Sequence, residues 1–242
     1  MSLGFGHRAR VGHLYPSGGL CDYEIQSMAP EGVQFVTTRL PFRRTGIQDD
    51  LRLADNLEGA VGLVADAQVD LVAFNCTAAS LLLGADTIRA RVAAATGLSC
   101  VTTIEAVYDA LAGLDVTRVA LVTPYPQEVV DLECSHLREN GIEVTAATGF
   151  PRDSPVAQAE IPPSTWKELA LTADLGGADA VLFSCAGIQI SPVIAEIECA
   201  LGLPVVTSNQ ALLRSVLVTA GLDRDVPGYG RVLAPGSSLA VN

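Results

Sequence analysis

Lysine occurs once in the 242 residues, as Lys167, and histidine three times, as His7, His13 and His136. A Schiff-base enzyme needs a lysine in a desolvated pocket. Lys167 lies instead in STWKELALTADL, where Thr165 and Glu168 have capping-box spacing and predict a solvated helix face. The six cysteines (Cys21, Cys76, Cys100, Cys134, Cys185, Cys199) include no CxxC pair, and with so few histidines zinc-type ligand spacing is absent, so no metal is expected. In a chain of this length without secretory features they read as free thiols. Basic residues are scarce, 15 against 27 acidic, and the net charge of −12 argues against nucleic acid and anionic membrane surfaces as partners. No apolar run reaches the roughly 18–20 residues that span a bilayer, and MSLGFGHRARVG lacks the hydrophobic stretch of a signal peptide, so a cytoplasmic location is expected. Neither GFGHRA nor GYGR has the third glycine or the strand–helix context of a dinucleotide fingerprint, and no nucleotide cofactor is expected.

What remains is a well-packed α/β chain, 49% hydrophobic and 17% charged. Short β-branched runs alternate with helix-period segments: RVGHLYP, a short helix near Asp22 to Met28, VQFVTTRL, a long helix from about Gln48 to Ala67, then VDLVAFNC. The order restarts at Arg118 with RVALVTPY. Val11 to Pro16 matches Val119 to Pro124, Asp70 to Cys76 matches Asp179 to Cys185, and GLSCVTT matches GLPVVTS. Collinear matches at a nearly constant offset predict an internal duplication: two pseudo-two-fold-related lobes, each a parallel sheet flanked by helices. The expected division is 1–113 for the lobe with Cys76, 114–212 for the lobe with Cys185, and 213–242 as a segment packing back on the first lobe.

The stretches DLVAFNCTA and DAVLFSCAG place Cys76 and Cys185 at the carboxyl ends of corresponding strands, where parallel α/β sheets bind ligands. Backbone amides at such a strand end stabilise a thiolate or hold a carboxylate. Thiols brought to one cavity from opposite sides can take or add on one face of a carbon and deliver a proton on the other. Cys100, Cys134 and Cys199 sit mid-strand or on helix faces and read as structural. So does His13, inside the first strand. Arg43 and Arg44 read as a solvated loop, and FPRDSPVAQAEIPP at 150–163 as a lid or a connector.

Strand-end FNCTAAS, VALVTPY, LFSCAGIQ and PGYGRVL together resemble the aspartate/glutamate/hydantoin racemase superfamily, in its maleate cis-trans isomerase and arylmalonate decarboxylase branch, over nearly the whole chain. The resemblance implies a cofactor-independent enzyme for a small carboxylate or dicarboxylate, with Cys76 and Cys185 as the catalytic pair and a homo-oligomeric state. It implies Thr77, Tyr125, Ala186 and Gly187 as carboxylate or enediolate binders, and Asn75 and Ser184 as residues that orient the thiols. Ser17, Gly18 and Gly19 form a turn able to present amides to a carboxylate. Decarboxylases of the arylmalonate type keep only the second cysteine, so two thiols favour maleate-type isomerisation. Racemisation of an amino or aryl acid, decarboxylation of a malonate, and non-catalytic carboxylate binding are the alternatives. One departure is Gly19, where the isomerases carry a substrate-contacting asparagine.

Overall fold

The structure is a computed structural model that describes residues 5–234. Two four-stranded sheets, every pairing parallel, carry the fold. In the first, β1 (Ala9–Pro16) is flanked by β2 (Val33–Leu40) and β3 (Leu71–Phe74), with β4 (Cys100–Thr102) beyond β3. In the second, β5 (Arg118–Thr123) is flanked by β6 (Glu143–Gly149) and β7 (Ala180–Phe183), with β8 (Val205–Thr207) beyond β7. Both have the order second-first-third-fourth, as the duplication requires. LVAF and AVLF are buried at every position because helices cover both faces of each sheet.

The aspartates that open the two cysteine stretches make the same bond. Asp70 Oδ2 accepts the Arg10 backbone N–H at 2.7 Å, and Asp179 Oδ2 accepts that of Arg118 at 3.1 Å. Each carboxylate thus pins the start of its central strand to the strand that leads to the cysteine. The chain reverses its direction of travel across the sheet between the first and third strands of each lobe, and a crevice opens at the carboxyl ends there.

The predicted helix from Gln48 to Ala67 is two helices, α2 (Ile47–Arg52) and α3 (Leu57–Ala65). Leu53, Ala54 and Leu57, at and beside the break, are all buried. The Ala54 carbonyl freed at the break accepts from Arg91 Nη2 at 2.8 Å. The other helices of the first lobe are α1 (Asp22–Met28), α4 (Thr77–Leu83), α5 (Ala85–Thr96) and α6 (Thr103–Ala112). Those after it are α7 (Gln127–Glu139), α8 (Pro155–Ala159), α9 (Pro163–Thr172), α10 (Ile194–Leu201) and α11 (Ser208–Thr219). Helix α9 starts at Pro163, with proline supplying the first turn, and not at Thr165. Lys167 on it ion-pairs with Glu196.

Helix α11 packs along α6 and fixes one lobe on the other. Its Leu212, Leu213, Val216 and Leu217 are fully buried, each contributing about 1.5–3 kcal/mol. Its start is held by a capping box between Thr207 and Gln210. One apolar cluster runs through both sheets, from Val11 and Ala73 to Leu121 and Phe183, and a second lies between the first sheet and α3 and α5. The segment expected to return from 213 onward extends, beyond residue 234, outside the described residues. Among the described residues no helix is long and apolar enough to cross a membrane, and no cluster of possible metal ligands occurs.

Candidate active site

Each thiol stands two residues past its strand. The Asn75 N–H donates to Leu14 O at 2.9 Å and the Ser184 N–H to Val122 O at 3.0 Å, extending both ladders by one residue before the cysteine. Cys76 then stands at the N-cap position of α4, where the Ala79 backbone pulls its thiol pKa down. Cys185 enters a turn in which the Gly187 N–H reaches Sγ at 3.2 Å, and Tyr125 lines the same cavity. The two sulfurs line one small cavity of about 30 Å³.

Of the expected residues, Gly19, Tyr125, Ala186 and Gly187 line this cavity with the cysteines. The others do not. Ser17 and Gly18 close the turn against the 42–44 loop, Ser17 Oγ donating to Phe42 O and accepting the Phe42 N–H. Thr77 exchanges a 2.8 Å hydroxyl bond with Ser208. Ser184 donates to Glu133. Asn75 belongs to a buried amide chain: its Nδ2 donates to His13 Nε2 and to Asn209 Oδ1, and Asn209 Nδ2 donates to Ala186 O at 3.0 Å. That chain ties the residue before Cys76 to the residue after Cys185. Glu24, on α1, adds a second tie by accepting the N–H groups of Ile190 and Ser191 at 2.7 and 2.6 Å.

Tyr15, Pro16, Phe42, Thr45, Asp50 and Ala78, with Pro155 and Gln158 from the 150–163 segment, complete the lining. Tyr15 explains the departure at Gly19. A Cβ on Gly19 would stand 2.6 Å from the Tyr15 ring and 2.8 Å from its hydroxyl. The ring is fixed, because the hydroxyl donates to Ala186 O and accepts the Cys21 N–H. No side chain fits at residue 19 while Tyr15 is in place. The 150–163 segment closes the cavity through Pro155 and Gln158, and the Thr45 N–H locks it down by donating to Asp153 O at 2.8 Å.

No lysine or arginine lines the cavity. Burial therefore pushes Cys185 up to about 12, against downward pulls from the Gly187 amide and Tyr125, and holds Cys76 well above the usual thiol range, with Asp50 adding repulsion. Burial also raises Asp50 to about 7 and Glu133 to about 7. His13 is held down to about 3 by burial and by Arg39, so it stays neutral and accepts from Asn75. In this closed form both thiols keep their protons. A substrate that brings its own charge-stabilising contacts, or a nearby base, is needed to ionise either of them.

Residues 13–233 match the family model described as arylmalonate decarboxylase. A maleate isomerase of Pseudomonas putida is 26% identical over 242 residues, covering 93% of this chain and 97% of the relative. An arylmalonate decarboxylase of Bordetella bronchiseptica is 34% identical over 141 residues, covering 57% of this chain and 59% of the relative. A solved structure of Nocardia farcinica maleate cis-trans isomerase, a cysteine-to-serine mutant with a covalently bound succinylcysteine intermediate, superposes with a TM-score of 0.86 at 24% identity, covering 95% of this chain and 98% of that one.

Proposed function

The chain belongs to the arylmalonate decarboxylase family, and from that premise we propose that it is a cofactor-independent isomerase of a small carboxylate, acting through Cys76 and Cys185 in a maleate-type cis-trans isomerisation. The observation that carries the proposal is the meeting of two duplicated strand-end thiols on one small cavity. Maleate isomerases match over 93% of the chain or more at 21–26% identity, and an arylmalonate decarboxylase over 57% at 34%, so both branches stand among its relatives.

The Cys76 sulfur adds to one alkene carbon, and the charge passes into the adjacent carboxylate as an enediolate. Cys185 gives its proton to the other carbon, the former double bond rotates as a single bond, Cys185 takes a proton back, and the C–S bond breaks to release the trans acid. The amide of Gly187 and the hydroxyl of Tyr125 are the donors available for the enediolate oxygens. The Gly187 N–H meets the Cys185 sulfur at 3.2 Å. Ionisation of Cys185 during the reaction therefore has a donor already in place. A homo-oligomeric state and a cytoplasmic location are part of the same proposal.

Gly19, with Tyr15 filling the adjacent space, favours decarboxylation of a substituted malonate as the second reading. Maleate incubated with the protein in deuterium oxide and followed by NMR decides between them. Fumarate formation that is lost in Cys76→Ser and in Cys185→Ser, both folded, is the expected result. No fumarate, with carbon dioxide released from an arylmalonate even by Cys76→Gly, would overturn the isomerase reading.

A further inference from the structure

The two thiols are equivalent by position but not by what faces them. Asp50, on α2, places Oδ1 3.8 Å from Cys76 Sγ, and Gln158, on α8, places Oε1 3.8 Å from Cys185 Sγ. Helix α2 follows β2 and α8 follows β6, so the duplication relates them. The separation 158 − 50 = 108 agrees with the separation 185 − 76 = 109. One ancestral position, the side chain set over the thiol, holds a carboxyl in one lobe and an amide in the other.

The amide cannot take a proton. Gln158 Nε2 is committed to Thr45 Oγ1 at 2.8 Å and to Arg152 O at 3.0 Å, which leaves Oε1 turned to Cys185 as an acceptor for its S–H. The carboxyl can take one. Asp50 is 1% exposed, lines the cavity, and its Oδ2 is buried with no hydrogen-bond partner. An orphaned carboxylate oxygen at an active cavity is costly unless function retains it.

We propose that Asp50 is the general base for Cys76, while Gln158 keeps Cys185 protonated as the acid. The proton leaves Cys76 Sγ for Asp50 Oδ1 as sulfur adds to substrate, stays on the carboxyl while the thioether exists, and returns to sulfur when the C–S bond breaks. No outside oxidant, reductant or base is consumed. The charged and titratable neighbours of Asp50 are suited to such a role. Asp49 on the same helix, Cys76 on α4, and Cys185 and Tyr125 across the cavity include no cation to hold Asp50 permanently ionised. Burial brings its carboxyl to about 7, the range in which a base works best at neutral pH. The inference rests on the reading of Cys76 and Cys185 as the reacting thiols.

The test reads each thiol separately, without substrate. The full-length protein is alkylated with iodoacetamide between pH 6 and 9, and the rates at Cys76 and Cys185 are measured by peptide mass spectrometry. In Asp50→Asn, Cys76 is expected to react at least ~10-fold more slowly at pH 7.5 and to lose its inflection near 7, as removal of a general base predicts. A single cooperative melting transition serves as the folding control. An equal or faster Cys76 in Asp50→Asn would overturn the proposal, because it would mean that Asp50 acts only by repelling the thiolate. Should Asp50→Asn fail to fold, Gln158→Glu decides: Cys185 gains a base and reacts faster, and an unchanged Cys185 overturns the assignment. Slowed Cys76 labelling in a protein that forms no fumarate would leave Asp50 assigned and remove the isomerase reading instead.

Discussion

Glu133→Gln is expected to stabilise the protein at pH 8 and to leave it nearly unchanged at pH 4.5. Glu133 is 3% exposed, its Oε1 accepts from Ser184, and its Oε2 has no hydrogen-bond partner. Burial raises this carboxyl from 4.5 to about 7. Below pH 4.5 the folded and unfolded chains both carry the proton. As pH rises toward 7 the unfolded chain releases it while the fold retains it, so stability falls, and above 7 the fold carries the full cost of a buried charge. At about 1.4 kcal/mol per pH unit, the interval from 4.5 to about 7 amounts to about 3 kcal/mol. Glutamine keeps an oxygen for Ser184 and never ionises. For a chain of this size, about 3 kcal/mol corresponds to a melting temperature higher by roughly 6–12 °C at pH 8. Differential scanning calorimetry of both proteins at pH 4.5, 6 and 8 measures the difference directly. Asp50 titrates in the same sense in both and cancels. A difference independent of pH, or one largest at pH 4.5, would refute the reasoning.

Gly19→Ala is expected to lower the urea midpoint by the equivalent of about 1–3 kcal/mol, because its Cβ overlaps a tyrosine ring held at both of its hydrogen bonds; an unchanged midpoint would show that Tyr15 moves freely. Trp166→Ala should cost about 3–5 kcal/mol in the same assay. Trp166 is fully buried and packs edge-on against Phe150 and Phe183, the last residue of β7 before the strand end that carries Cys185. A loss below about 1 kcal/mol would mean that the site collapses around the gap.

The duplication was legible because it repeats apolar strands at a constant offset, and strands buried on both faces cannot vary much in character. The shared Asp70 and Asp179 were visible as letters, and the structure supplied their reason, the backbone N–H groups of Arg10 and Arg118. The split between α2 and α3 was not legible. At the break the Ala54 carbonyl accepts from Arg91, a residue of α5 distant in sequence.

The placement of the two thiols was determined by sequence alone, since a cysteine at the end of a buried parallel strand has only one place to be. Their environment was decided by tertiary structure. Asp50 and Gln158 are 26 and 27 residues from the thiols they face, on short helices that the 45–50 and 153–158 segments bring over the cavity. Tyr15, Ser17 and Asn75 were similarly sorted into lining, turn and buried network by which way a few side chains point at the meeting of two lobes. Strand periodicity carries the position of a residue along its own element. It does not carry the approach of a second element, and that approach sets the burial and the partners on which each thiol's proton depends.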